Sequence, residues 1–135
     1  MDRLEERLKT AAQALRTLVE IQAMDIQPEA KRDAAILRFT YTFEAIWKTA
    51  QRYLAEIEGV EVASPKPCIR ACRDAGLLSD DEAAAALVMA DDRNLSVHLY
   101  SEGLAEQLRA RLPAHAASLT RWLRAMERRG PGGAD

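Results

Sequence analysis

A chain of 135 residues and 15.0 kDa suits one domain and leaves no room for two full cores. Its 48% hydrophobic and 30% charged residues exclude a disordered chain, and 6 Gly with 5 Pro are too few for the many tight turns of an all-β fold. A net charge of −2 excludes a bulk polyanion binder, so any nucleic-acid contact needs a local basic patch.

The first predicted helix runs from about Asp2 to Gln22. Leu4, Leu8, Ala11, Leu15 and Leu18 recur at spacings of four and three, one apolar stripe beside a wet face of Glu5, Glu6, Arg7, Lys9 and Arg16. Pro28 stands where a second helix begins, because proline is tolerated in a first turn. From Glu29 to Glu58 the stripe is Ile36, Phe39, Phe43, Ile46, Ala50, Tyr53 and Ile57, widened by Trp47 and Leu54, with Gly59 as the stop. A helix of that span is about 45 Å long at 1.5 Å per residue. Its stripe is too long for one small bundle to cover, so a homodimer is expected.

Ser64-Pro65 signals the start of a short helix through Cys68, Ile69 and Cys72, closed by Gly76. Ser79-Asp80-Asp81-Glu82 has the spacing of a capping box. The helix it opens covers Ala83 to at least Asp92, and could extend to Tyr100. Ser101 is placed to cap a last helix whose stripe is Leu104, Leu108, Leu112, His115, Leu119, Trp122 and Met126; Pro113 is expected to kink or split it. The expected architecture is an all-α bundle of about five helices, one domain over 1–129, with a disordered Gly-rich tail at 130–135. No stretch approaches 18 apolar residues, and the N-terminus has no apolar signal core. A cytoplasmic protein without a membrane span is expected, and two cysteines fit a reducing compartment.

Few residues offer chemistry. There is no glycine-rich phosphate loop and no G-x-S-x-G. Cys68 and Cys72 lack a second ligand pair, so they read as packed thiols, and no metal or cofactor is expected. His115 lies on an apolar stripe and reads as a packed or rim histidine. The segment from Asp91 to Tyr100 differs: it gathers Asp91, Asp92, Arg93, Asn94, His98 and Tyr100. Arginine matches phosphate with a planar fork, and histidine is the acid/base of neutral pH. The set suits transesterification of a phosphodiester. On one straight helix, however, Arg93 and His98 lie about 140° apart, so convergence needs a helix break near Leu95–Val97 or a second copy of the chain. On spacing alone, the alternative is that Arg93 pairs with a nearby Asp and His98 packs or caps.

Arg93-Asn94-x-x-x-His98 resembles the R-x4–6-H signature of HEPN domains, and His98-Leu99-Tyr100 extends it to the R-x4-H-x-Y form of HepT-like toxins. Arg38-Phe39-x-x-x-Phe43-Glu44-x-x-Trp47-Lys48 is similar to the second helix of the nucleotidyltransferase substrate-binding protein family, a HEPN branch. Ser64-Pro65 and Ala75-Gly76-Leu77-Leu78 fall where that family has its short third helix, and the resemblance spans about residues 2–126.

The resemblance implies an antiparallel four- to five-helix HEPN-like bundle that dimerises, with a small nucleotidyltransferase partner encoded nearby. For the HepT type it implies the toxin of a type VII toxin–antitoxin pair, a metal-independent ribonuclease with paired motifs across a dimer cleft. The partner silences such a toxin by transferring AMP to the motif tyrosine, here Tyr100. In that reading His98 is the general base or acid, Arg93 holds the RNA phosphate, and Asn94 orients either. Asp91 and Asp92 are outer partners of Arg93 or simply solvated. Arg109, Arg111, Arg121, Arg124, Arg128 and Arg129 offer a candidate RNA face, although such a run is ordinarily just a wet helix face. The alternative function is a non-catalytic substrate- or nucleotide-binding subunit of a minimal nucleotidyltransferase. A bundle that only dimerises would leave the Arg93–Tyr100 cluster unexplained.

Overall fold

The computed structural model describes residues 3–98 and 101–130. Among them are five α-helices and no strand: α1 (Arg3–Ala23), α2 (Pro28–Tyr53), α3 (Pro65–Asp74), α4 (Asp80–Ser96) and α5 (Glu102–Arg129). Helix α2 is the central rod and packs on all four others, α5 also packs on α1 and α4, and α3 leans on α4. The fold is the expected all-α bundle. No described helix is long and apolar enough to cross a membrane.

The α1 stripe is buried as its spacing requires, with Leu4, Leu8, Ala11, Leu15, Leu18 and Ile21 inside. From α2, Phe39, Phe43, Ile46, Trp47, Ala50 and Tyr53 enter the same core, where they meet Leu108, Leu112, Leu119, Trp122 and Met126 of α5. Cys68 and Cys72 are buried free thiols beneath α3. Fully burying one such Leu, Ile or Phe side chain is worth about 1.5–3 kcal/mol, so the bundle is held by this apolar seam more than by any polar contact.

Three features differ from the sequence reading. The α2 stripe is not too long for one bundle: α1 and α5 of the same chain pack on α2, and the stripe is buried from Ile36 to Tyr53, so it does not itself call for a second copy. The second helix does not stay α-helical to Glu58; its last turn, Leu54–Glu58, is a π turn. The wider turn shifts the register, so Leu54 stays buried while Ile57 swings out to 46% exposure. Gly59 then ends the helix in the left-handed region at φ 68°, and its N–H and that of Val60 both return to the Leu54 carbonyl. Pro113 does not split the last helix, which runs unbroken over 28 residues. Buried Leu108 and Leu112 before it and Ala116 and Leu119 after it hold both halves against the core, enough to offset a proline cost of about 3 kcal/mol.

The capping box forms: Ser79 Oγ accepts from the Glu82 N–H at 3.1 Å, and Glu82 Oε1 accepts from the Ser79 N–H at 2.8 Å. Asp80, Asp81 and Glu82 thereby sit in the first turn of α4, where negative charge suits the helix dipole. Ser101 caps α5, accepting from the Leu104 N–H at 3.2 Å.

Candidate functional site

The motif begins on the last turn of α4 and leaves it. Ser96 ends the helix by competing for its hydrogen bonds: Ser96 Oγ donates to the Arg93 carbonyl at 2.6 Å and lies 2.8 Å from Thr40 Oγ1 on α2. Val97 and His98 follow as a turn, with the His98 N–H on the Leu95 carbonyl at 2.9 Å. The break falls within the Leu95–Val97 stretch, one of the two arrangements, with a second copy of the chain, that would allow Arg93 and His98 to converge. His98 is exposed on this turn. Tyr100 lies outside the described residues.

The two ends of the segment are tied down. Before it, Asp92 is buried at 6% exposure and points into the bundle. Its Oδ2 accepts from Arg111 Nε at 2.7 Å and its Oδ1 from Arg111 Nη2 at 2.8 Å, a bidentate fork, while His115 Nε2 lies 2.7 Å from Oδ2. The His115 ring stacks on Phe39, 5.3 Å between centroids and 22° between planes. Burial alone pushes the Asp92 carboxyl up, but Arg111 and His115 outweigh it and hold the group below its ordinary range. After the segment, Arg32, buried on α2, reaches Glu102 at 2.6 Å and Glu106 at 3.4 Å and so docks the start of α5.

Between these anchors Arg93 stays reachable, at 29% side-chain exposure. Its Nη1 donates to Asn94 Oδ1 at 3.1 Å, and its Nη2 is ion-paired with Glu44 of α2. The other Glu44 oxygen lies 3.6 Å from Lys48 Nζ, one turn further along the same helix face. Burial pushes the Glu44 carboxyl up; the neighbouring Trp47 indole and the Arg93 guanidinium outweigh that and hold it low. Asp91 is exposed and pairs instead with Lys66 of α3 at 2.6 Å.

The structure thus brings Arg93 and Asn94 into contact and sets His98 on the adjoining turn. It does not make Asp91 or Asp92 a partner of Arg93: helix rotation turns Asp92 inward to α5 and Asp91 outward to α3. The carboxylate on Arg93 is Glu44, 49 residues earlier. The basic face of α5 is mostly engaged, with Arg111 on Asp92, Arg109 on Glu106 at 2.8 Å, Arg121 3.5 Å from Glu82, and Arg129 on the Ala75 carbonyl at 3.1 Å. Among the described residues, no three His, Cys, Asp or Glu side chains gather as a metal site. A cavity of about 580 Å³ opens between the α1–α2 link and α5, lined by Met24, Ile26, Lys31 and Leu112 among others, and no motif residue lines it.

Over residues 3–128 the chain matches the family described as nucleotidyltransferase substrate binding protein like. The chain belongs to that family. The match covers both the α2 signature and the Arg93–His98 motif, so the resemblance read from those residues holds at family level. A crystal structure of a protein from Thermus thermophilus is similar at 50% sequence identity with a TM-score of 0.82, over 87% of this chain and 99% of that one. No curated protein matches the chain. Family membership ties this bundle to nucleotidyltransferases.

Proposed function

We propose that this protein is a HepT-like HEPN toxin, a metal-independent ribonuclease silenced by AMP transfer from a partner nucleotidyltransferase. The observation that carries the reading is the break after Ser96. It leaves the half-buried Arg93 guanidinium anchored on rigid helix while His98 stands exposed on the adjoining turn. His98 takes the proton of the RNA 2′-hydroxyl or gives one to the leaving 5′-oxygen. Arg93 holds the scissile phosphate and stabilises its growing charge. Asn94, whose amide oxygen accepts from Arg93, fixes the guanidinium plane.

A second copy completes the cleft in this reading. Leu37 and Val97, each 64% exposed, line one shallow depression with Thr40 and Ser96 beside the motif. Large apolar side chains adjoining a charged site suit a two-fold contact that presents both motifs to one RNA. Tyr100, two residues beyond His98, is the proposed AMP acceptor; the added phosphate would compete with RNA for Arg93.

The family description favours a second reading, a non-catalytic subunit that presents substrate to a minimal nucleotidyltransferase. Expression of the chain alone separates the two. The toxin reading expects growth arrest that His98→Ala abolishes and that the co-expressed nucleotidyltransferase relieves. Harmless expression supports the subunit reading instead, and arrest that survives His98→Ala overturns the role given to His98.

A further inference from the structure

Leu37, Tyr41, Glu44 and Lys48 succeed one another at spacings of four and three, so they share one outward face of α2. That face runs beside the end of α4. Where the two helices meet, one carboxylate is held between two cations, Glu44 Oε1 on Lys48 and Glu44 Oε2 on Arg93. All three side chains are partly open to solvent, Lys48 at 47%, Glu44 at 32% and Arg93 at 29%. Lys66 of α3 is paired with Asp91 on the other side of this turn of α4. Arg93 meets this carboxylate through one nitrogen, Nη2, because its Nη1 donates to Asn94, and Lys48 faces the other oxygen as a point charge at 3.6 Å; one anionic oxygen to each cation is an arrangement that a phosphate can also adopt.

We propose that Lys48 and Arg93 form a two-cation seat for an RNA phosphate, and that the Glu44 carboxylate fills this seat in the free protein. The inference rests on the ribonuclease reading and adds to it Lys48 as a binding residue and Glu44 as an internal competitor. With Glu44 in place the three groups sum to +1; with its side chain swung away on its flexible stem they present +2 to the ligand. Glu44 stays ionised at neutral pH because its carboxyl is held below its ordinary range. RNA therefore has to displace it, which weakens binding and favours a ligand that also offers contacts elsewhere in the cleft. Glu44→Gln keeps the size and a hydrogen-bond acceptor for Arg93 but removes the competing charge.

The test uses the intact chain and a fluorescent 2′-O-methyl oligoribonucleotide, which carries every phosphate but lacks the attacking hydroxyl. Dissociation constants are measured across a salt series for the parent, Glu44→Gln, Lys48→Ala and Arg93→Ala, with thermal midpoints confirming that each is folded. Glu44→Gln is expected to bind about tenfold tighter, equivalent to about 1.4 kcal/mol. Lys48→Ala is expected to bind more weakly, with the slope of log affinity against log salt reduced by about 0.7, the value for one single-strand phosphate contact. Glu44→Gln binding no tighter than the parent, or Lys48→Ala keeping the parent's slope, overturns the proposal. If Arg93→Ala still weakens binding in that case, the ribonuclease reading stands without this addition. If neither the parent nor Glu44→Gln binds the oligonucleotide, both fall.

Discussion

Asp92 and Arg93 are neighbours in sequence and opposites in structure. One step along α4 rotates the side chain by about 100°, and that rotation separates two charge clusters. Asp92 turns inward to a set in which the carboxylate and His115 are buried and both carboxylate oxygens accept from Arg111, whose own side chain is 40% exposed. Arg93 turns outward to an open set with Glu44, Lys48 and Asn94, whose members remain partly solvated. A set built on a buried carboxylate fixes geometry, because breaking it strands that carboxylate's charge. An open set exchanges partners at low cost, because water substitutes for each lost contact. The inner cluster therefore holds the end of α4 against α5, and the outer cluster is what that anchoring presents at the surface, where the proposed function places the ligand.

Substitutions on the two sides should fail in different ways. The largest expected effect is on the outer side. Arg93→Ala should lower the rate of RNA cleavage by roughly 10²–10³, the cost of losing a donor to transition-state charge, while shifting stability by about 1 kcal/mol at most, as for an exposed ion pair. Single-turnover cleavage and urea unfolding on the same preparation check both halves. Asp92→Asn should do the reverse, costing about 1.5–3 kcal/mol of stability through its charged hydrogen bonds. Its activity should fall only as far as unfolded protein accounts for. A parent-like urea midpoint for Asp92→Asn would erase the distinction.

Acid sharpens it further. Asp92 and Glu44 both have folded pKa values below their ordinary ones. Their stabilisation is complete above the ordinary carboxylate range and is lost as pH falls through it toward the folded values. Urea midpoints measured downward from about pH 5 should fall steeply for the parent and less steeply for Asp92→Asn. The smallest effect belongs to a site in neither cluster. Ser79→Ala removes one half of the capping box at the far end of α4 and should cost about 1 kcal/mol, with cleavage unchanged at temperatures where the variant is folded.

What the sequence made readable follows the range of each interaction. The α1 stripe, the capping box of Ser79 and Glu82, and the Ser101 cap depend on residues three or four apart, and periodicity exposes them. The π turn at Leu54–Glu58 left no local mark, because its one-residue shift is decided by which of Leu54 and Ile57 packs better. Pro113 was a true local signal overruled by buried neighbours on both sides. The Arg93–His98 motif was legible, and so was the choice between a break and a second copy of the chain, but not the cause of the break, since Ser96 meets Thr40 only in the folded bundle. Glu44 stood in the quoted α2 signature without a role, because 49 residues separate it from Arg93. Arg111 and His115, four apart on one face of α5, were the available sign that a buried acid would dock there.

The central claim is that the outer cluster cuts RNA by transesterification. The most direct measurement incubates the purified chain with single-stranded RNA in excess chelator and compares it with His98→Ala. The account predicts metal-free cleavage leaving 2′,3′-cyclic phosphate ends, slowed by roughly 10²–10⁴ in His98→Ala, as for loss of a general acid/base. Intact RNA in both reactions, or equal cleavage in both, would contradict it.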